Sequence, residues 1–232
     1  MKSLTPWLAA IALGSSAHAA TLAINFDGLD NNQATNVTAE GPLGVDAANW
    51  NNYNGSTGSN QAATADNGDA FTISWENGGE WRIVGFLGTS TDSVLRGYLD
   101  DPNGGSLNPT VTINGLASLA QGAYTVSLYY STDAATANFD AGTVNGAFAD
   151  SIQAVNNPGT TLGNAGGFTG SSQVQIFNNV TGDLTIDIGD ADRSNGRATL
   201  AAITVEYTAA PEPSSAALLG LAGVALILRR RK

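Results

Sequence analysis

The chain has 232 residues, with 20 acidic side chains against nine basic ones, a single histidine and no cysteine. Only Glu212 of the acids falls outside residues 20–207, whereas five of the nine cations do, so the stretch between the ends carries 19 acids and four bases, a net charge of −15. Such a field repels nucleic acid and anionic lipid and suits neutral sugars and divalent cations, while the absence of cysteine removes disulfide staples and leaves stability to the core.

The N-terminus opens with Lys2, runs through a mostly apolar segment to about Leu13 and reaches Ser15-Ser16-Ala17-His18-Ala19. A charged start, a short apolar core and an A-x-A site in that order predict a secretory signal peptide over residues 1–19, cut after Ala19 and handled by the Sec machinery. The apolar core is too short for a membrane span. His18 leaves with the leader, so the mature chain has no imidazole, which excludes Ser-His-Asp and Cys-His catalysis and histidine-based zinc or iron sites.

From Thr21 onward apolar residues recur with a period of two. Leu22, Ile24 and Phe26 alternate with Ala23 and Asn25, and the same holds at Phe71-Ile73-Trp75, Val111-Ile113, Tyr124-Val126-Leu128-Tyr130, Val174-Ile176, Leu184-Ile186-Ile188 and Ile203-Val205-Tyr207. These read as half-buried strands. Turn dipeptides such as Asn77-Gly78, Asn103-Gly104, Asn145-Gly146 and Asn195-Gly196 punctuate them. No amphipathic helix is evident between the two ends. The pattern predicts an all-β fold: a single two-sheet antiparallel sandwich or jelly roll over residues 20–207. About 190 residues can bury close to 70% of the unfolded surface, enough to stand without staples. No internal repeat is visible, which argues against a flat β-solenoid. The stretch Leu119 to Val126, with Gly122 and Tyr124 entering a strand, resembles the tyrosine corner of Greek-key sandwiches, whose phenol bonds to the backbone upstream. Residues 49–67, rich in Asn, Gly, Ser and Thr, read as a long polar loop of the kind that is either functional or mobile, and its aromatics Trp50 and Tyr53 are candidate ligand residues.

The segment Trp75-Glu76-Asn77-Gly78-Gly79-Glu80-Trp81 holds the most suggestive chemistry. If Asn77-Gly78-Gly79 is a turn, Glu76 faces Glu80 and Trp75 neighbours Trp81 across a hairpin. Opposed like charges destabilise such a pair unless a cation, a shared proton or a sugar offsets them. A solvated hairpin tip is the plain alternative. Calcium has two candidate sets: Asp187, Asp190, Asp192 and Asn195, whose spacing fails the EF-hand pattern, and Asp27 with Asp30 near the first strand; an ordinary Asx-rich turn is the alternative for each. No catalytic residue is assigned.

Residues 208–215 read as a linker containing Pro211-Glu212-Pro213, and residues 216–232 as a short apolar helix closed by Arg229, Arg230, Arg231 and Lys232. The helix barely reaches a spanning length, and the terminal cations hold its end on the cytoplasmic side. Pro-Glu-Pro, a short apolar helix and a terminal Arg cluster resemble the PEP-CTERM sorting signal of Gram-negative bacteria that make exopolysaccharide, a tail also described as the C-terminal domain of ice-binding proteins. The resemblance implies export, transient anchoring in the membrane, and processing by an exosortase near Pro211–Pro213. Strands 109–114, 124–130 and 200–207 also resemble the galactose-binding-like sandwiches that often precede such a tail. The expectation is a non-enzymatic surface or matrix protein associated with exopolysaccharide. The alternatives are a secreted carbohydrate-active enzyme using carboxylates only, and an ice- or surface-binding adhesin, which needs a flat Thr/Asn face.

Overall fold

Alternation with a period of two commits one side of a strand to burial, and each of the seven runs read from the sequence forms a strand. The computed structural model describes residues 18–26, 49–82, 94–95, 97–100, 108–132, 142–154, 162–163, 169–189 and 198–210. A seven-stranded sheet runs in the order β11 (Ser151–Ala154), β13 (Thr169–Val180), β8 (Tyr124–Thr132), β16 (Ala202–Thr208), β1 (Ala19–Phe26) and β2 (Trp50–Tyr53), with β12 (Leu162–Gly163) also on β13. A six-stranded sheet runs β10 (Ala147–Phe148), β9 (Gly142–Val144), β14 (Leu184–Ile188), β7 (Thr110–Asn114), β4 (Ala70–Glu76) and β3 (Thr57–Thr64). Among the described strands every pairing is antiparallel except β1 with β2.

The two sheets enclose one core. Leu22, Ile24, Val126, Leu128, Ile203 and Val205 come from the first, and Phe71, Ile73, Val111, Ile113, Leu184 and Ile186 from the second. Each such side chain contributes about 1.5–3 kcal/mol on burial. The sandwich expected from the alternation is therefore present, and the structure adds a layer to it. A third sheet, β15 (Thr199–Leu200), β6 (Gly97–Asp100) and β5 (Gly79–Arg82), has Tyr98 packed with Ala23, Trp50, Tyr129 and Ala202. These residues alternate with the core-facing ones along β1, β8 and β16, so the seven-stranded sheet is covered on its outer side there.

The stretch read as a polar loop, residues 49–67, instead carries β2 and β3. Both are edge strands with polar sequences, and β3 is exposed on nearly all its residues, so no apolar alternation marks them. Asn145-Gly146 does close a hairpin, with φ of 51° and 78° and Val144 paired to Ala147. One short helical turn, Leu116–Leu119, precedes Tyr124. The Tyr124 hydroxyl donates to the Gly182 carbonyl in the connection from β13 to β14, so the corner is tied to a segment downstream rather than to the backbone upstream.

The domain has two ends, which matters for function. β16 finishes beside the start of β1, with Ala19 paired to Thr208 and the Ala209 amide donating to the His18 carbonyl at 2.8 Å. The Ala210 amide then donates to the Leu119 carbonyl at 2.8 Å. Ala210, the last described residue, therefore lies at this end. Phe26, Tyr53, Glu76 and Thr110 lie at the opposite end.

Candidate functional site

The predicted Trp75–Trp81 hairpin does not form. β4 pairs with β3 and β7 in the six-stranded sheet, whereas β5 pairs with β6 in the third sheet, Glu80 opposite Leu99 and Trp81 opposite Tyr98. Asn77 causes the departure. It is buried, its side-chain amide donates to the Gly79 carbonyl and its Oδ1 accepts from the Gly78 amide at 2.8 Å. The chain is thereby bent from one sheet to another, and Glu76 and Glu80 stand on different sheets.

What does assemble at this end is an aromatic knot. Trp75 is 5% exposed, on the core face as its alternation with Ile73 requires. Its ring centroid lies 4.9 Å from that of Tyr53 and 5.8 Å from that of Phe26, the latter edge-on. The Trp75 Nε1 donates to the Gly55 carbonyl at 2.9 Å, and the Gly55 amide donates to Glu80 Oε2 at 2.6 Å. Tyr53 closes the knot, its hydroxyl donating to the Ala62 carbonyl at 2.6 Å; burial pushes that phenol up to about 12. Gly58, paired with Trp75 across the ladder, lies against the indole ring, where any Cβ would collide with it.

Three of the six suggested ligand residues, Tyr53, Trp75 and Glu80, thus meet, but as a structural clasp. Trp50 sits apart in the second apolar cluster, buried beneath the third sheet. The Trp81 side chain lies outside the described positions. For Glu80, burial raises the carboxyl above its usual range and the Gly55 amide opposes the shift. A folded carboxyl raised in this way favours the protonated form, so its contribution to stability is fullest below the unfolded value and falls as pH rises through the folded one. Glu80→Gln keeps an acceptor for Gly55 without the charge. It is expected to melt at or slightly above the wild-type temperature at neutral pH, with that difference vanishing below the carboxylate range. Thermal melts at the two pH values check this.

Glu76 faces the other way. It is exposed on the outer side of the six-stranded sheet, where β3, β4 and β7 form a shallow groove of ≈ 640 Å³ lined by Thr57, Ser59, Gln61, Ser74, Glu76, Thr110 and Thr112, with Trp75 and Gly58 also bordering it. The β3 bulge between Gly58 and Gln61 shapes one wall; Asn60 takes φ 49° there and its amide donates to the Ser74 hydroxyl at 2.9 Å. Hydroxyls that both donate and accept, beside one carboxylate acceptor, suit a polyhydroxylated ligand.

Of the calcium candidates, Asp187 is exposed on this same outer face, while Asp190, Asp192, Asn195, Asp27 and Asp30 lie outside the described residues. Among the described residues no three His, Cys, Asp or Glu side chains gather as a metal site. The sorting residues Pro211, Glu212, Pro213 and Arg229 to Lys232, and the predicted membrane helix, also lie outside them. Among the described residues no helix is long and apolar enough to cross a membrane.

Residues 209–232 match the PEP-CTERM protein-sorting motif. The motif marks an exported protein that an exosortase sorts through its C-terminus. No curated protein matches the chain. Among solved structures, the X-ray crystal structure of protein YXIM from Bacillus subtilis is similar at 10% identity and a TM-score of 0.39, covering 82% of this chain and 40% of that one. The present chain thus spans less than half of that protein's length.

Proposed function

We propose that this is a non-enzymatic surface or matrix protein of a Gram-negative bacterium, sorted through its C-terminal motif and associated with extracellular polysaccharide through the groove beside Glu76. The observation that carries the reading is the position of that groove: a hydroxyl-lined surface at the end of the sandwich opposite the one from which the sorting tail departs. If the C-terminal segment anchors the chain, the groove lies at the end of the domain far from Ala210, where that segment joins it. The charge of the domain favours a neutral polymer over an anionic one.

A hydrolytic reading would employ Glu76 and Asp187, whose strands are separated by β7 alone. Two strand spacings put their Cα atoms roughly 10 Å apart, near the separation of inverting glycosidases. Both carboxylates, however, stand exposed on an open face, whereas a general acid for this chemistry draws its proton affinity from an enclosed, apolar setting. An ice-binding reading needs an unbroken Thr/Asn array, and the same two carboxylates interrupt it.

The reading is tested by retention of the full chain on exopolysaccharide from the producing bacterium. Wild type is expected to be retained, Glu76→Gln to bind about tenfold more weakly, as for loss of a charged hydrogen-bond acceptor, and no reducing ends to appear. A wild-type protein that passes through unretained would contradict the proposal.

A further inference from the structure

The groove beside Glu76 is one end of a longer feature that only the strand register reveals. Thr57 is paired with Glu76, Glu76 with Thr110, Thr110 with Asp187, and Asp187 with Thr143. These five residues form a single row across β3, β4, β7, β14 and β9. The inward neighbours Trp75, Val111, Ile186 and Val144 are buried, so by strand alternation all five row members turn to the outer face. Thr57, Glu76, Thr110 and Asp187 are exposed and Thr143 half-buried. A second row, Ser74, Thr112 and Thr185, runs beside it. At about 4.8 Å per strand the first row extends for roughly 19 Å.

We infer that this row is a linear track on which an extended, uncharged polysaccharide lies perpendicular to the strands, contacted along the interior of the chain rather than at an end. The inference rests on the reading of the groove as a polysaccharide site and specifies how that site works. Three features support it. The row alternates hydroxyls with carboxylates, so a polyol can donate to Glu76 and Asp187 while exchanging hydrogen bonds with the threonines between and beyond them. The two carboxylates stand either side of Thr110, and their mutual repulsion is offset when ligand hydroxyls donate to both. Trp75 and Tyr53 are packed into each other and the core, and the exposed ring at the row is Phe148, paired with Thr143 at its β10 end, so between Thr57 and Asp187 binding relies on many hydrogen bonds in series and is weak for a short sugar. Affinity in such a track accumulates with ligand length.

The experiment measures binding of the detergent-solubilised full chain to fragments of the producing bacterium's exopolysaccharide, graded by length. Affinity is expected to rise with fragment length and level off once a fragment spans the five strands. Asp187→Asn and Thr143→Val are each expected to weaken binding of the longest fragments by about five- to tenfold, in line with single hydrogen-bond losses, and to leave the shortest ones unchanged. Glu76→Gln should weaken both. Thr143→Ser, which restores the hydroxyl, should recover long-fragment binding and thereby separate recognition from any packing defect at this half-buried position. Length-independent affinity, or long-fragment binding indifferent to Asp187→Asn and Thr143→Val, would overturn the track while leaving a local site at Glu76 standing. Failure of wild type to bind fragments of any length would instead remove the polysaccharide reading itself.

Discussion

Replacing Trp75 by alanine is expected to destabilise the domain by about 3 to 5 kcal/mol, the range for truncating a large buried aromatic. The indole is nearly fully enclosed, packs on Tyr53 and Phe26, and holds the Gly55 carbonyl. Its loss leaves a cavity at the place where the chain passes from β2 to β3, and leaves Glu80 holding a Gly55 amide no longer fixed from its other side. Chemical denaturation of the variant measures the effect. Gly58→Val attacks the same contact from the opposite strand, since its side chain would have to occupy the space of the ring. A Trp75→Ala protein with an unchanged denaturation midpoint would show that the knot does not hold this end together.

Deleting residues 202–232 is expected to abolish cooperative folding, whereas deleting 211–232 leaves the melting temperature where it was. β16 lies between β8 and β1, hydrogen-bonded to both, and buries Ile203, Val205 and Tyr207 in the core. Without it, β1 and β2 have no ladder to the rest of their sheet. Tyr207 adds a tie across the sandwich, its hydroxyl donating to Asp69 Oδ2 at 2.7 Å beside the edge-on ring of Phe71. Burial and the hydrogen bond to Asp69 raise that phenol far above its usual range. The strand pairings of the sandwich run to Thr208 and Ala209, and the Ala210 amide closes the end on Leu119, so removal of residues 211–232 should cost nothing. Circular dichroism melts of the two truncations separate the cases; a 202–232 deletion that still melts cooperatively would contradict the central place given to β16.

The strands that could be read from the sequence are those in which one face is apolar. Leu22-Ile24-Phe26 and Ile203-Val205-Tyr207 announce themselves because each inward residue meets the core and each intervening one does not. β2 and β3 escaped because Asn51, Asn52, Ser59, Asn60 and Gln61 gain their place through edge pairing and side-chain hydrogen bonds, such as Asn51 Nδ2 to the Ala23 and Thr64 carbonyls at 2.9 Å. The Asn77-Gly78 dipeptide misleads for a related reason. A turn dipeptide signals that the chain bends, but the partner of β5 is β6, set by Tyr98 and its burial against the seven-stranded sheet. Glu76 is legible as a candidate, yet its neighbours on the surface, Thr57, Thr110 and Asp187, are distant in the chain and become adjacent only through the register. The sorting tail stands at the other extreme: its order of Pro-Glu-Pro, apolar run and cations is local, and was legible without any fold.

Polysaccharide is expected to bind on the outer face of the six-stranded sheet, at the end opposite Ala210. Hydrogen–deuterium exchange of the full chain, with and without its own bacterium's exopolysaccharide, tests this most directly. Added protection is expected in peptides covering residues 57–61, 72–76 and 110–112, and none in residues 116–124 and 206–210 at the tail end. Protection confined to the tail end, or to the third sheet around residues 97–100, would contradict it.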